Sequence, residues 1–224
     1  MTTHAPIRSN AIARLWATSP EALSFAPETV VRAFLLERGQ GNLLIYNTGA
    51  VESELEPMRE RGGVSRQYLN HSHEALFGPP DPAGPLGARV LVHERDANSI
   101  AGRGWEARYT FSRRHKLDED FEVIPTPGHT PGATAYLWNN GAERLLFTGD
   151  SLYLRGGEWA AAVLDSSDRD DYIASLELLR GIEFDVLVPW AADAGGAWSS
   201  RVEPGEARER IDAILSRLRA GGDH

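Results

Sequence analysis

The residues with the most chemistry to offer are four histidines and one aspartate: His71, His73, His93, His129 and Asp150. His71-Ser72-His73 follows a short apolar stretch. In an extended segment alternate side chains point the same way, so both imidazoles could face one ion. With seven histidines in 224 residues, such a pair arises by chance with a probability of about 0.2, so the pair alone says little. His129 stands inside Pro125-Thr126-Pro127-Gly128-His129-Thr130-Pro131-Gly132. Its prolines and glycines fix a rigid, non-helical turn. That rigidity suits a metal ligand, although a tight turn can also hold a histidine with no chemical role. Asp150 ends the apolar run Leu145-Leu146-Phe147-Thr148-Gly149. A carboxylate leaving a buried strand needs a cation or hydrogen-bond donors, unless it caps a turn. His93 also ends an apolar strand, where a satisfied, partly buried histidine is expected. His4 and His224 are expected in solvent.

Composition narrows the chemistry. No cysteine is present, which excludes disulfides, thiolate metal sites and cysteine nucleophiles. A transition metal would have to be held by His, Asp or Glu. The formal charge of −9 argues against a general nucleic-acid binder. No apolar run reaches the roughly 18 residues of a membrane span, and residues 1–11 lack a signal-peptide pattern. A cytoplasmic protein acting on a small molecule is the expectation. No phosphate-cradling loop, serine nucleophile elbow or dinucleotide fingerprint is evident.

The elements that must position these residues alternate between strands and helices. Residues 1–28 are expected as an arm or edge element, and residues 29–224 as one domain. Strands are predicted over 30–36, 42–46, 67–69 and 89–92, then 109–112, 121–124, 134–138, 144–148 and 185–188. Helices are predicted over 51–61, 168–180 and 203–218 from their apolar spacing. Residues 78–87, with four prolines in ten positions, are predicted as a loop. Two sheets with helices outside them fit this order.

Three segments together resemble the metallo-β-lactamase superfamily: His71-Ser72-His73 after a strand, Gly128-His129-Thr130-Pro131-Gly132, and Phe147-Thr148-Gly149-Asp150. Leu44-Ile45-Tyr46-Asn47-Thr48-Gly49 resembles the family's early strand and turn, with Asn47 where an Asp is usual. The matches stand in family order. The resemblance implies an α+β fold, an αβ/βα sandwich of two β-sheets flanked by helices, with a metal site at one edge.

The departures are as informative as the matches. The family's His-x-His-x-Asp-His reads here as His71-Ser72-His73-Glu74-Ala75-Leu76, and its late His is missing from Val188-Pro189-Trp190-Ala191-Ala192-Asp193. By resemblance, His71, His73 and His129 hold the first metal, and Asp150 bridges the family's two metals. The second metal's positions hold Ala75, Leu76 and Ala191. Leu76 and Phe77 are expected to fill the vacated volume. Glu74, read as strand, points away from the His71 side. Asp193 could replace a lost carboxylate, or cap a turn.

The implied function is a metal-dependent hydrolase with a mononuclear site and a water on the metal as nucleophile, Asp150 serving as ligand or base. Three imidazoles with an open position suit zinc. Two histidines with Asp150 would suit iron(II), as in the sulfur dioxygenases of this superfamily. A non-catalytic relative that uses the pocket for binding is the reading from a different class. Tyr153, Arg155, Trp159, Trp190 and Trp198 are expected as core or rim packing, with pocket lining as the alternative.

Overall fold

The computed structural model describes residues 8–9 and 12–222; His4 and His224 lie outside the described residues. The chain's contacts divide it into two compact units, Met1–Phe111 and Ser112–His224.

In the first unit a seven-stranded sheet runs in the order Arg8–Ser9, Leu15–Ala17, Phe34–Leu36, Leu43–Ile45, Arg66–Tyr68, Arg89–His93, Tyr109–Phe111. The first three pairings are antiparallel and the last three parallel. Strand Leu15–Ala17 pairs with Phe34–Leu36 and buries Leu15 and Ala17, so this part of the amino-terminal stretch is woven into the sheet. The predicted strand 30–36 is two strands, Ala26–Val31 and Phe34–Leu36. The break falls at Arg32-Ala33, where Thr18 Oγ1 accepts from Ala33 N at 3.0 Å.

The predicted helix 51–61 is likewise broken, into Ala50–Ser53 and Leu55–Glu60. Buried Glu54 separates the pieces and accepts from Ser19 N at 2.8 Å. The proline-rich loop contains one 3-10 turn, Gly84–Leu86, closed by Gly87 at φ 78°. The isolated turn needs no long run of amide donors, so its proline is tolerated there.

One helix escaped the sequence reading. Glu94–Ala101 packs Ile100 and Ala97 with Leu69, Val90, Val92 and Trp105. Its apolar residues are two alanines and one isoleucine, too weak a signal for the periodicity to show. His93 is its N-cap, accepting from Arg95 N at 3.2 Å. That is the satisfied, partly buried histidine expected at this position.

The second unit holds a six-stranded sheet in the order His115–Asp118, Phe121–Pro125, Thr134–Asn139, Arg144–Gly149, Val186–Pro189, Ser200–Arg201. Its pairings are antiparallel except for the parallel pair of Arg144–Gly149 with Val186–Pro189. Helices Arg169–Arg180 and Glu206–Arg219 cover one face. Leu176, Leu179, Ile211, Ile214, Leu215 and Leu218 pack there against Ile124, Ala135, Leu146 and Leu187. Each fully buried leucine contributes about 1.5–3 kcal/mol. Asp168 caps the first of these helices, accepting from Asp171 N at 2.9 Å. Among the described residues no helix is long and apolar enough to cross a membrane.

Candidate metal centre

The loop that carries His71 and His73 leaves strand Arg66–Tyr68, and it is a 3-10 helix, Ser72–Leu76, with His71 in extended backbone as its N-cap. The alternation expected of a strand therefore fails from residue 72 onward. The two rings still meet, with centroids 5.1 Å apart and planes at 86°. His71 is fully buried.

The helical turn also redirects Glu74, which was expected to point away. Its side chain is fully buried, and Oε1 stands 3.3 Å from Nδ1 of His71. The same oxygen accepts from Asn70 N at 2.7 Å and from His71 N at 3.2 Å. Oε2 accepts from Asn47 N at 2.7 Å. Asn47 returns the contact, its Nδ2 donating to the carbonyls of Glu74 and Phe77 at 3.0 and 2.7 Å.

Tyr46, just before Asn47, has φ 70°, a strained value for a bulky residue. Its amide donates to Tyr68 O at 2.9 Å and its carbonyl accepts from Gln67 Nε2 at 3.1 Å, which fix this turn. A second buried carboxylate, Asp96, accepts from Ser72 N at 2.8 Å. Buried carboxylates need such donors.

Leu76 does not fill a vacated cation position as expected. The 3-10 turn swings it outward to 62% exposure, and Ala75 takes the inward place, packed with Leu69, Val92 and Trp105.

In the second unit, the turn that presents His129 rests on helix Arg169–Arg180. Gly128 has φ 136°, and a Cβ there would come within 2.4 Å of Tyr172 Cα, so only glycine allows the approach. Ser175 Oγ donates to Pro127 O at 2.6 Å and Asp168 N to Gly128 O at 2.9 Å. Ser167 Oγ donates to His129 O at 3.1 Å.

His129 is buried, and its Nδ1 lies 2.6 Å from Ala162 O. A carbonyl only accepts, so Nδ1 carries a proton. Nε2 stands 3.5 Å from Asp150 Oδ2. Asp150 follows Gly149, whose φ of 57° turns the chain at the strand end. The Tyr172 hydroxyl lies 2.9 Å from both Asp150 O and Ser151 O, and accepts from Ala162 N at 3.0 Å. Burial, and then the charge of Asp150, push the Tyr172 phenol well above its ordinary 10.0, so it stays neutral and donates.

His71 and His73 in the first unit and His129 in the second each offer one ring nitrogen as a candidate metal ligand. Imidazole nitrogens suit a divalent transition metal. Among the described residues Asp193 does not join this set; its carboxylate accepts from Gly156 N, in a distant loop, at 2.5 Å. Trp159 packs in the core, stacked on Phe184 with centroids 6.0 Å apart, and Trp198 packs against the same cluster.

Sequence reasoning missed Glu74, Asp96 and Tyr172. The spacing His71-x-x-Glu74 imitates a capping box with histidine in place of Ser or Thr, and was the available signal for Glu74. Tyr172 lies four residues after the N-cap Asp168, on the inward face of its helix.

Residues 48–191 match the family model of the Metallo-beta-lactamase superfamily. That stretch is more than half of the chain and contains His71, His73, His129 and Asp150. The chain belongs to the metallo-β-lactamase superfamily. A hydroxyacylglutathione hydrolase from Anaeromyxobacter dehalogenans is 31% identical over 132 residues, 55% of this chain and 46% of that protein. The chain spans less than half the length of the curated relatives it matches.

Among solved structures, a metallo-beta-lactamase from Pontibacter korlensis aligns with TM-score 0.70 at 17% identity, covering 94% of this chain and 97% of that one. One from Hirschia baltica aligns with TM-score 0.69 at 14% identity, covering 94% and 98%. These likenesses establish the metallo-β-lactamase fold, of the α+β class with mixed sheets flanked by helices, as the sequence resemblance implied.

Proposed function

We propose that this superfamily member is a hydrolase dependent on a single metal ion, with His71, His73 and His129 as ligands. The carrying observation is that His71, His73 and His129 stand at the family's first-metal positions within the matched stretch 48–191, while Ala75, Leu76 and Ala191 stand where the family places ligands for a second ion. Zinc is the proposed ion, because three imidazoles with an open position are its catalytic arrangement. When bound, such an ion supplies Lewis acidity and a water acidified toward a pKa of about 7.

The chain's own residues do the rest. Glu74 and Ala162 O face the Nδ1 atoms of His71 and His129. Asp150, 3.5 Å from Nε2 of His129, is a ligand or accepts a hydrogen bond from the attacking water and orients it. The similar curated proteins are named hydroxyacylglutathione hydrolases, so an acyl-glutathione thioester is the proposed substrate class.

The test starts from protein stripped by a chelator. Adding zinc is expected to restore thioester hydrolysis in the wild type and not in His129→Ala. Hydrolysis that survives chelation and the substitution would overturn the reading. Oxygen uptake with a persulfide after iron(II) loading would instead favour iron-dependent oxidation. The replacement of three ligand positions favours a second reading, a non-catalytic binding protein. Tight ligand binding with no turnover under any metal would select it.

A further inference from the structure

We propose that Tyr172 is a positioning residue whose hydroxyl closes the base of a β-hairpin and thereby fixes Asp150 beside His129. Its value to a metal centre rests on the reading above. Its geometry lies wholly within the second unit and needs no metal.

The hairpin pairs strands Tyr153–Arg155 and Glu158–Ala160 antiparallel. Asp150 and Ser151 lead into it, and Ala162 follows it. Directly across this base, Ala162 N reaches Asp150 O at 3.3 Å, beyond the ordinary range of about 2.7–3.2 Å for such a bond. The Tyr172 hydroxyl accepts from the same N–H at 3.0 Å and shares its own proton between Asp150 O and Ser151 O, each at 2.9 Å. The phenol therefore supplies the shorter links. Tyr172 is buried in the apolar cluster under the helices, where water does not compete for these bonds.

Both ends of the clamp lead to the candidate ligands. Ala162 O lies 2.6 Å from Nδ1 of His129, and Asp150 Oδ2 stands 3.5 Å from Nε2 of the same ring. A closed circuit thus runs from His129 through Ala162, the Tyr172 hydroxyl and Asp150 back to His129. The hydroxyl's bonds end on backbone atoms, so it acts by placing the other two side chains. A misplacement of about 1 Å in such a site can cost about 100-fold in rate.

The experiment compares wild type, Tyr172→Phe and Ile214→Val, which trims the same apolar cluster without removing a hydrogen bond. Metal-free crystals of Tyr172→Phe are expected to show Asp150 Oδ2 displaced from His129 Nε2 by more than about 0.5 Å, the tolerance of a working site. An unchanged separation overturns the proposal. In wild type with isotope-labelled tyrosine rings, NMR is expected to show the Tyr172 hydroxyl exchanging with water far more slowly than that of exposed Tyr109. Exchange at the same rate overturns it as well, and this arm needs no variant to fold.

Cobalt(II) titration followed by absorbance gives a further readout. Tyr172→Phe is expected to bind about 10-fold more weakly than wild type, the low end of the range for a lost partner behind a metal ligand, and to show an altered visible band at saturation. Ile214→Val is expected to stay within about twofold of wild type, as a change with no shared hydrogen-bond partner should, and to keep its band. Equal losses in the two variants for equal falls in Tm would reduce Tyr172 to packing and overturn its role. Wild type that takes up no cobalt(II) overturns the metal-binding reading instead, while the crystal separation and the hydroxyl exchange still decide for or against Tyr172.

Discussion

The two stretches of chain that supply the histidines solve the same problem with different chemistry. Around His71 the organiser is a side chain: the Glu74 carboxyl group, fully buried, accepts from three backbone amides and stands 3.3 Å from Nδ1 of the ring. Around His129 the organisers are neutral. A backbone carbonyl, Ala162 O, faces Nδ1, and the Tyr172 hydroxyl joins Ala162 N to the carbonyls of Asp150 and Ser151. A buried carboxyl group braces the loop of the first histidine, and close packing on a helix holds the second. Damage should follow the same division. Loss of hydrogen-bond acceptors should loosen the loop around His71 most, and loss of shape should alter stability most around His129.

The largest stability effect is expected at Gly128. Gly128→Ala forces a Cβ to within 2.4 Å of Tyr172 Cα at φ 136°, combining backbone strain and overpacking worth about 2–5 kcal/mol. Urea unfolding should show it as a lower midpoint at unchanged slope. A near-neutral result would mean that the turn is not pinned on the helix.

Tyr172→Phe comes next. The ring is kept, but Ala162 N and the carbonyls of Asp150 and Ser151 lose their shared hydroxyl, at a cost of about 1–3 kcal/mol. Its pH dependence has a definite sign. The folded state raises the phenol's pKa above 10.0, so the folded protein holds that proton more tightly than the unfolded chain does. The associated stability is complete below about pH 10 and is lost as the pH rises beyond it. Tyr172→Phe should therefore show a shallower alkaline fall in stability than wild type. Parallel alkaline curves for the two proteins would remove Tyr172 from the account.

The smallest effect is expected at Leu76, which is 62% exposed. Leu76→Asn should change stability by less than about 0.5 kcal/mol. A large loss would restore the view that this leucine fills a buried space.

The sequence shows the same division in what it revealed. The turn around His129 was legible because prolines and glycines carry their backbone constraints in their identity. The strand end before Asp150 was legible from its apolar run, and the helix 169–180 from its cap and spacing. The surroundings of His71 were legible only in part. The histidine pair was visible, but its backbone was read as strand, and that one assumption misdirected both Glu74 and Leu76. A 3-10 turn of five residues leaves no periodicity to detect, and its N-cap is a histidine in place of the usual Ser, Thr, Asp or Asn. The helix 94–101 was missed for a similar reason, since its polar residues hide a single buried isoleucine. Tyr172 was seen as part of an amphipathic face, and nothing in one sequence marks a phenol that joins two distant loops.

Counting the metal tests the central claim most directly. Crystals grown with zinc and measured at its absorption edge give identity, number and position together. One zinc per chain is expected, within about 2.0–2.1 Å of one nitrogen each from His71, His73 and His129. Two zinc ions per chain, or a zinc whose ligands exclude any of these three rings, would contradict it.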